Sequence, residues 1–245
     1  MGKNKLARWA ELETYKNVIQ PETGGLFGKD HSVKGTWKKE IFGNENPVIL
    51  ELGCGKGEYT IGLAERFPVN NYIGIDIKGA RMWRGARTAN ERRAGNTAFL
   101  RTRIEFISSY FGEDEVDEIW ITFPDPHPGK RNSNKRLTCP WFLNQYRNFL
   151  KNNGVIHLKT DNAEVFRYTK SLAERNNLSI IKATSDLYSE KHGNEILSIR
   201  THYENLFLKE GFKIHYLSFR LEKDRIIEDE KSEYERRQRL FQQGL

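Results

Sequence analysis

Cysteine, histidine clusters and long apolar runs are scarce in this chain of 245 residues, and each shortage excludes a class of protein. The two cysteines, Cys54 and Cys139, supply neither a disulfide framework nor a Cys-x-x-Cys metal pattern, which fits a reducing compartment. The six histidines are scattered and give no metal-ligand spacing. No apolar stretch is long enough to span a bilayer, and the first residues lack an apolar signal core. We therefore expect a cytoplasmic protein that binds neither a metal nor a membrane.

The composition favours one large α/β domain and an anionic partner. Hydrophobic residues make up 37% of the chain, and no Pro-rich or Gly-rich linker divides it, so a sizeable core can form. The formal net charge of +7 suits a nucleic acid, although many basic proteins bind nothing anionic. We expect a monomer or a homodimer.

A glycine-rich turn follows the first strong apolar run, and it predicts a nucleoside-binding site. Gly53, Gly55 and Gly57 alternate directly after residues 48–52, and Asp76 ends the next apolar run. Glycines let the backbone approach a ligand, the following helix offers free N–H groups, and a carboxylate at Asp76 suits a ribose diol. Such a turn also occurs for purely steric reasons, and Asp76 alone would be an ordinary turn residue.

The spacing and charge of this turn favour S-adenosylmethionine (SAM) over a dinucleotide. The turn reads G-x-G-x-G, whereas the dinucleotide fingerprint is G-x-G-x-x-G. Glu51, two residues before Gly53, would repel a pyrophosphate but tolerates the cationic sulfonium and can serve the methionine ammonium.

Apolar runs alternate with helical periodicity along most of the chain. We predict strands at 48–52, 72–75, 98–100, 118–123, 155–158, 178–183 and 212–221, and helices at 60–67, 80–94, 140–150, 163–176 and 203–210. This alternation indicates a mostly parallel sheet. Residues 1–45 are predicted to be a basic arm that is ordered at best in part, 46–221 the main domain, and 222–245 a charged helical tail.

Carboxylates follow the fourth and fifth predicted strands, where an open α/β sheet binds its ligands. Asp125 lies among three prolines that stiffen the backbone, and four cations follow it, including Lys130 and Arg131. This arrangement suits a base held beside a phosphate backbone. Asp161 follows the fifth strand.

Five motifs follow one another along the chain, and they read E-L-G-C-G-K-G, G-I-D-I-K, F-P-D-P-H-P-G-K-R-N-S-N-K-R-L-T, L-K-T-D-N-A-E and T-H-Y-E-N-L-F. In this order they resemble the bacterial tRNA (guanine-N7-)-methyltransferase family, TrmB, over roughly residues 45 to 220. The resemblance implies a class I SAM-dependent methyltransferase fold, Rossmann-like α/β. Its mostly parallel sheet would have seven strands, the last antiparallel, and helices on both faces. It also implies methylation of N7 of the variable-loop guanosine, position 46 of tRNA.

The resemblance also assigns residues by motif. Glu51, Asp76 and Asp125 match the SAM-contacting acids, together with the glycine turn, and Asp125 matches the proposed catalytic residue. The substrate-binding positions are Asp161 and the motif that consists of Thr201, His202, Tyr203 and Glu204.

Three positions depart from the family pattern. His127 stands where the family usually has Trp, and Gly129 where it has Lys. His127 can still stack on or hydrogen-bond a base, and Lys130 supplies a cation one position along. Arg103 falls where an acid or amide would contact adenine, and its guanidinium cannot accept a hydrogen bond, so a backbone N–H such as that of Ile104 is the alternative.

Several of these residues have a structural alternative. Asp161 with Glu164, and Thr201 with Glu204, have the spacing of a capping box. Arg81, Arg84 and Arg87 recur every three residues, as on a solvated helix face. The segment 130–136 would then be a solvated loop, although its place beside Asp125 favours phosphate contact.

Two other functions stay open on the sequence. One is a methyltransferase that acts on another nucleic-acid site, such as an exocyclic amine, although those enzymes have [DN]-P-P-[YFW] where this chain has Asp125, Pro126 and His127. The other is a tRNA-binding protein that has lost methyl transfer.

Overall fold

One sheet runs through the whole domain, between helices that cover both of its faces. The computed structural model describes residues 3–21, 29–189 and 195–229. Its strands are β1 (Val18–Ile19), β2 (Val48–Leu52), β3 (Asn71–Asp76), β4 (Thr97–Arg101), β5 (Val116–Thr122), β6 (Leu150–Thr160), β7 (Ile180–Thr184) and β8 (His215–Leu221). Their order across the sheet is β1-β4-β3-β2-β5-β6-β8-β7. All neighbours are parallel except β8, which is antiparallel to β6 and β7.

Six α-helices accompany these strands in the described residues. They are α1 (Lys3–Glu13), α2 (Glu58–Arg66), α3 (Gly79–Glu91), α4 (Pro140–Tyr146), α5 (Ala163–Arg175) and α6 (His202–Lys209). Every residue of β2 is buried, as expected for a parallel strand that is covered on both faces. Leu50 packs in the core that α4 and α5 close, whereas its neighbour Ile49 packs on the other face, against α2. The predicted α/β fold with an antiparallel last strand is confirmed.

The sheet has eight strands and not the seven predicted, because Val18–Ile19 pairs with β4 at one edge. Phe99 N–H donates to the carbonyl of Asn17 at 2.8 Å. A pair of residues in a polar segment shows no alternation, so the sequence pattern could not reveal it. The added strand covers the edge of β4, which would otherwise present unpaired backbone groups.

The described parts of residues 1–45 pack against the domain, although the sequence predicts a basic arm that is ordered at best in part. Leu12 of α1 is fully buried, and the Trp83 indole donates to Glu11 Oε2 at 2.8 Å, which ties α1 to α3. Trp37 is also fully buried, and its indole donates to the carbonyl of Tyr110 at 2.8 Å. A few large apolar residues are therefore enough to anchor a segment that is mostly polar.

The predicted tail helix at 222–245 falls mainly outside the described residues. Residues 222–229 form neither helix nor strand. Ile227 is buried, and its N–H donates to Asn144 Oδ1 at 2.9 Å, so this part packs on the end of α4. Nowhere in the described part of the chain is there a helix with both the length and the apolarity to cross a bilayer.

Candidate active site

The main cavity, of about 560 Å³, lies where the carboxyl ends of β2, β3, β4 and β5 meet. Parallel strands deliver the loops that follow them to one edge of the sheet, which is where such sheets bind ligands. The predicted residues in its lining are Glu51, Gly53, Gly55, Asp76, Arg103, Asp125, His127, Thr201 and Tyr203. Gly57, Lys130, Arg131, Asp161, His202 and Glu204 are not part of this lining.

The glycine turn after β2 is left-handed at all three glycines. Gly53, Gly55 and Gly57 have φ values of +76°, +55° and +69°, a region that side chains disfavour. A Cβ on Gly57 would lie 2.7 Å from a ring carbon of Phe99. Gly57 thus serves the packing of the turn against β4, whereas Gly53 and Gly55 form the cavity wall.

Asp76 is held by the turn that it faces. The Gly55 N–H donates to its Oδ2 at 2.9 Å, and the Lys78 N–H donates to its Oδ1 at 2.7 Å. Each carboxylate oxygen keeps further acceptor capacity. A carboxylate fixed in this way, at the end of β3, can accept the hydrogen bonds of a sugar diol.

Glu51 is a buried carboxyl in the floor of the main cavity. The Thr122 hydroxyl donates to Oε1 at 2.7 Å, the Thr60 N–H donates to Oε2 at 2.8 Å, and the Thr60 hydroxyl donates to the same oxygen. Burial raises the pKa of the Glu51 carboxyl to about 7, and the negative charge of Asp76 adds to this rise, while the three hydrogen bonds oppose it. The group is therefore close to half-ionised at neutral pH.

Asp125 is exposed on the loop after β5 and is part of the cavity lining. No side chain or backbone group in the described residues donates a hydrogen bond to it or pairs with it. A carboxylate in a cavity lining that has no partner in the protein keeps its acceptor sites available to a ligand.

The loop that carries Asp125 is fastened by Arg136, which the sequence did not single out for this purpose. The Arg136 side chain is only 3% exposed. Its Nε donates to the carbonyl of Pro126 at 3.1 Å, its Nη2 donates to the carbonyl of His127 at 3.1 Å, and it pairs with Glu164 at 2.5 Å. The predicted phosphate-contacting segment 130–136 is thus divided, because Arg136 is buried while Lys130, Arg131 and Lys135 are exposed.

Arg136→Ala is expected to lower the free energy of unfolding by about 2–3 kcal/mol, since it removes the donor to two loop carbonyls and the cation that pairs with Glu164. We also expect slower turnover, because Asp125 loses its fixed position. Urea denaturation measures the first effect. Arg131→Ala is the matched control, and since Arg131 is exposed it should stay within about 0.5 kcal/mol of the wild type. Equal stabilities for the two variants would contradict the anchoring role.

The motif from Thr201 to Glu204 begins α6 and is split between the cavity and the core. The Thr201 hydroxyl accepts from the Glu204 N–H at 3.2 Å, and Glu204 Oε2 accepts from the Thr201 N–H at 3.4 Å, so the capping-box alternative is confirmed. Glu204 is fully buried and pairs with Lys159 at 2.8 Å. The contacts that Glu204 makes here are therefore structural, and its contact with substrate stays a prediction. Thr201 and Tyr203 line the cavity, and His202 is next to it through a 2.7 Å bond from its N–H to Glu58.

The cap of α5 is Asn162 and not Asp161, which lies one residue earlier. The Asn162 side chain accepts from the N–H groups of Glu164 and Val165, both at 3.0 Å. Asp161 is half-buried, and this burial raises the pKa of its carboxyl. Its side chain is free of a capping role but lies outside the main cavity, so contact with substrate stays a prediction.

Exposed cations surround the opening of the main cavity. Lys78, Arg81, Lys135 and Arg103 are all exposed residues of its lining. Arg103 pairs with Glu105 at 3.0 Å, whereas no ion pair with described residues is found for the other three. Of the predicted arginine stripe on α3, Arg81 thus reaches the cavity, while Arg87 pairs with Glu91 at 2.7 Å.

No group of three or more His, Cys, Asp or Glu side chains in the described residues is arranged to hold a metal ion. Cys54 lies in the cavity wall, and burial raises the pKa of its thiol, which disfavours the thiolate that metal binding needs.

Comparisons with known proteins agree with this geometry. A family profile described as "Putative methyltransferase" matches residues 45–217. The tRNA (guanine-N(7)-)-methyltransferase of Bacteroides thetaiotaomicron is 45% identical over 96% of this chain and 92% of its own length. The enzymes of the same name from Bacteroides fragilis and Christiangramia forsetii are 48% and 47% identical, each over 90% of this chain, and over 87% and 99% of their own lengths.

Solved structures show the same fold at low identity. The 16S rRNA methyltransferase KamB superposes with a TM-score of 0.59 at 13% identity, over 78% of this chain and 95% of its own. An antibiotic-related methyltransferase gives a TM-score of 0.56 at 17% identity, over 75% of this chain and 92% of its own.

Proposed function

Since this chain belongs to the bacterial tRNA (guanine-N7-)-methyltransferase family, TrmB, we propose that it methylates N7 of a guanosine in tRNA with SAM as the methyl donor. The observation that carries the proposal is that Asp125, which has no partner among the described residues, lines the same cavity as the glycine turn and Asp76. The guanosine in question is the one at position 46 of the variable loop.

The main cavity fits SAM by the chemistry of its walls. Gly53 and Gly55 leave room for close approach, Asp76 suits the ribose diol, and Glu51 suits the positive end of the methionine part. Ile104, also in the lining, follows Arg103 at the start of a short 3₁₀ helix and takes the adenine side. When bound, SAM supplies a methyl group on a sulfonium, which is reactive toward a lone pair.

Raising the pH from about 6 to about 8 is expected to tighten binding of S-adenosylhomocysteine about tenfold, because of the raised pKa of Glu51. A ligand ammonium favours the ionised carboxylate. When the pH is below the Glu51 pKa of about 7, the free site holds a proton that ligand binding must release. When the pH is above that pKa, binding releases no proton. Calorimetry across this pH range measures the dissociation constant. Glu51→Gln should remove the pH dependence, and a wild-type affinity that does not change with pH would refute the role of Glu51.

The main task of the residues around the cavity is to position the target guanine. Guanine N7 carries a lone pair and no proton, so the reaction needs alignment more than a strong general base. Asp125 holds the guanine or stabilises the positive charge that forms on the ring. Alignment of two reactants in this way supplies about 7–11 kcal/mol.

The cations supply the attraction for RNA. Lys78, Arg81 and Lys135 at the opening, with Lys130 and Arg131 on the adjoining loop, suit the phosphates on either side of the bound guanosine.

The protein acts in the cytoplasm as a monomer or a homodimer, and light scattering of the purified protein distinguishes these two states.

The proposal is tested by incubating the protein with methyl-labelled SAM and an unmodified tRNA transcript. We expect label in 7-methylguanosine on nucleoside analysis, and no label in a transcript whose guanosine 46 is replaced by adenosine. Label in another nucleoside would favour a methyltransferase of different specificity, and retention of tRNA without label would favour a binding protein; either result overturns the proposal.

A further inference from the structure

A second cavity, of about 570 Å³, adjoins the main cavity next to α4, and we call it the side cavity. The two cavities share Arg103, Glu105, His127, Lys135 and Phe142, so they form one continuous depression. Asp125 lines only the main cavity, whereas Trp141 lines only the side cavity. Trp141 has no part in the proposed methyl transfer, although Lys135 lines both cavities.

Trp141 gives this cavity a flat aromatic wall. It is 51% exposed, unusual for a side chain of its size. The Phe142 ring, which is only 5% exposed, meets the indole edge-on at a centroid distance of 4.7 Å. Pro140 at the start of α4 further restricts the backbone that carries the indole. A rigid, half-exposed indole is the kind of surface on which a nucleobase stacks.

The charge around Trp141 suits an anion attached to such a base. Lys135 is exposed, and no ion pair with described residues is found for it. It directly precedes Arg136, whose bonds to the Asp125 loop fix this stretch of backbone. Glu105 is also in the lining, but Arg103 neutralises it at 3.0 Å. The cavity therefore combines an aromatic face with an available cation.

We propose that the side cavity binds the nucleotide next to the methylated guanosine in the same RNA strand, with its base stacked on Trp141 and its phosphate near Lys135. This rests on the proposed function, because the position of the target guanosine beside Asp125 is what makes the adjoining cavity a site for its neighbour. The adenosyl group is disfavoured as the occupant, since the glycine turn and Asp76 lie in the main cavity. The target base is disfavoured as well, since Asp125 does not line the side cavity.

Replacing Trp141 with alanine tests the proposal in the full-length protein. We expect Trp141→Ala to weaken tRNA binding and to raise KM for tRNA about tenfold, the effect of losing one stacked base. The turnover number and the dissociation constant of S-adenosylhomocysteine should stay within about twofold, because the indole does not line the main cavity. Trp141→Phe keeps an aromatic face and should recover most of the loss. Ile181→Ala is the control, because Ile181 is similarly exposed, at 52%, on the edge strand β7.

A second measurement identifies the stacked base. Two tRNAs are prepared, one without the base on the 5′ side of the target guanosine and one without the base on its 3′ side. In one of them, Trp141→Ala should cause no further loss of affinity, because the partner of the indole is already missing. Losses that add fully in both tRNAs would overturn the proposal. So would an unchanged affinity of Trp141→Ala for intact tRNA, or weaker binding of S-adenosylhomocysteine.

Failure of the proposed function would give a different result. If the wild type bound tRNA without methylating it, the reaction would be refuted, while the affinities of the base-deleted tRNAs would still report whether a base stacks on Trp141. Affinity is therefore measured by fluorescence anisotropy of labelled tRNA, independently of turnover.

Discussion

Asp125→Ala is expected to lower the turnover number for methyl transfer about 100-fold, the scale seen when a group that stabilises developing charge is removed. Asp125 lines the main cavity and has no partner among the described residues, so the variant removes the proposed contact with the ligand and breaks no contact within the protein. Because Asp125 is exposed, the free energy of unfolding should hardly change. Single-turnover assays with saturating SAM and tRNA measure the rate.

Two further variants make this result interpretable. Asp125→Asn keeps the shape and an acceptor oxygen but removes the charge, and we expect it to retain about ten times the activity of the alanine variant if hydrogen bonding to guanine contributes. Asp224→Ala removes an exposed carboxylate elsewhere and should be as active as the wild type. If Asp125→Ala stayed within about twofold of the wild type, the role given to Asp125 would be wrong.

Lys159→Met is expected to lower the free energy of unfolding by about 3–5 kcal/mol, because it leaves the fully buried Glu204 carboxylate without its cation. Lys159 Nζ lies 2.8 Å from Glu204 Oε1, and it donates to the carbonyls of Leu197 and Ile199 at 3.2 and 2.9 Å. Both side chains of the pair are fully buried. The pair thus joins the end of β6 to the segment that leads into α6. Urea denaturation measures the loss.

The same change at the surface provides the control. Lys170 and Glu174 form an i,i+4 pair on α5 whose side chains are 39% and 52% exposed, and Lys170→Met should cost at most about 0.5 kcal/mol. Adding Glu204→Gln to Lys159→Met removes the unpaired charge and should restore part of the stability. If the single and double variants were equally unstable, lost packing and not the buried charge would explain the effect.

The sequence predicted the architecture because the strands of a parallel sheet are buried on both faces. They appear in the sequence as apolar runs, such as that of β2. The glycine turn that follows β2 then predicts which edge of the sheet binds a ligand. Asp76 and Asp125 were predicted as site residues for the same reason, since Asp76 ends one such run and Asp125 lies on the loop after another. Short or irregular elements escaped, as with Val18–Ile19, whose pairing depends on the edge of β4 and not on its own pattern.

Residues that act through distant partners could not be predicted. Arg136 reads as one more cation in a basic segment, and only the fold brings Glu164 to within 2.5 Å of it. Glu204 was ambiguous, because the same residue types form a capping box and a substrate contact, and only the structure shows the cap and the buried ion pair with Lys159. In both cases the burial of a charged group depends on the tertiary structure, which local spacing does not encode.

Arg136 holds the loop that carries Asp125 through backbone atoms and not through side chains. It binds the main-chain carbonyls of Pro126 and His127, and these oxygens are present whichever side chains stand there. Replacing the imidazole of His127 with another ring therefore leaves both acceptors in place, and with them the attachment of the loop that carries Asp125.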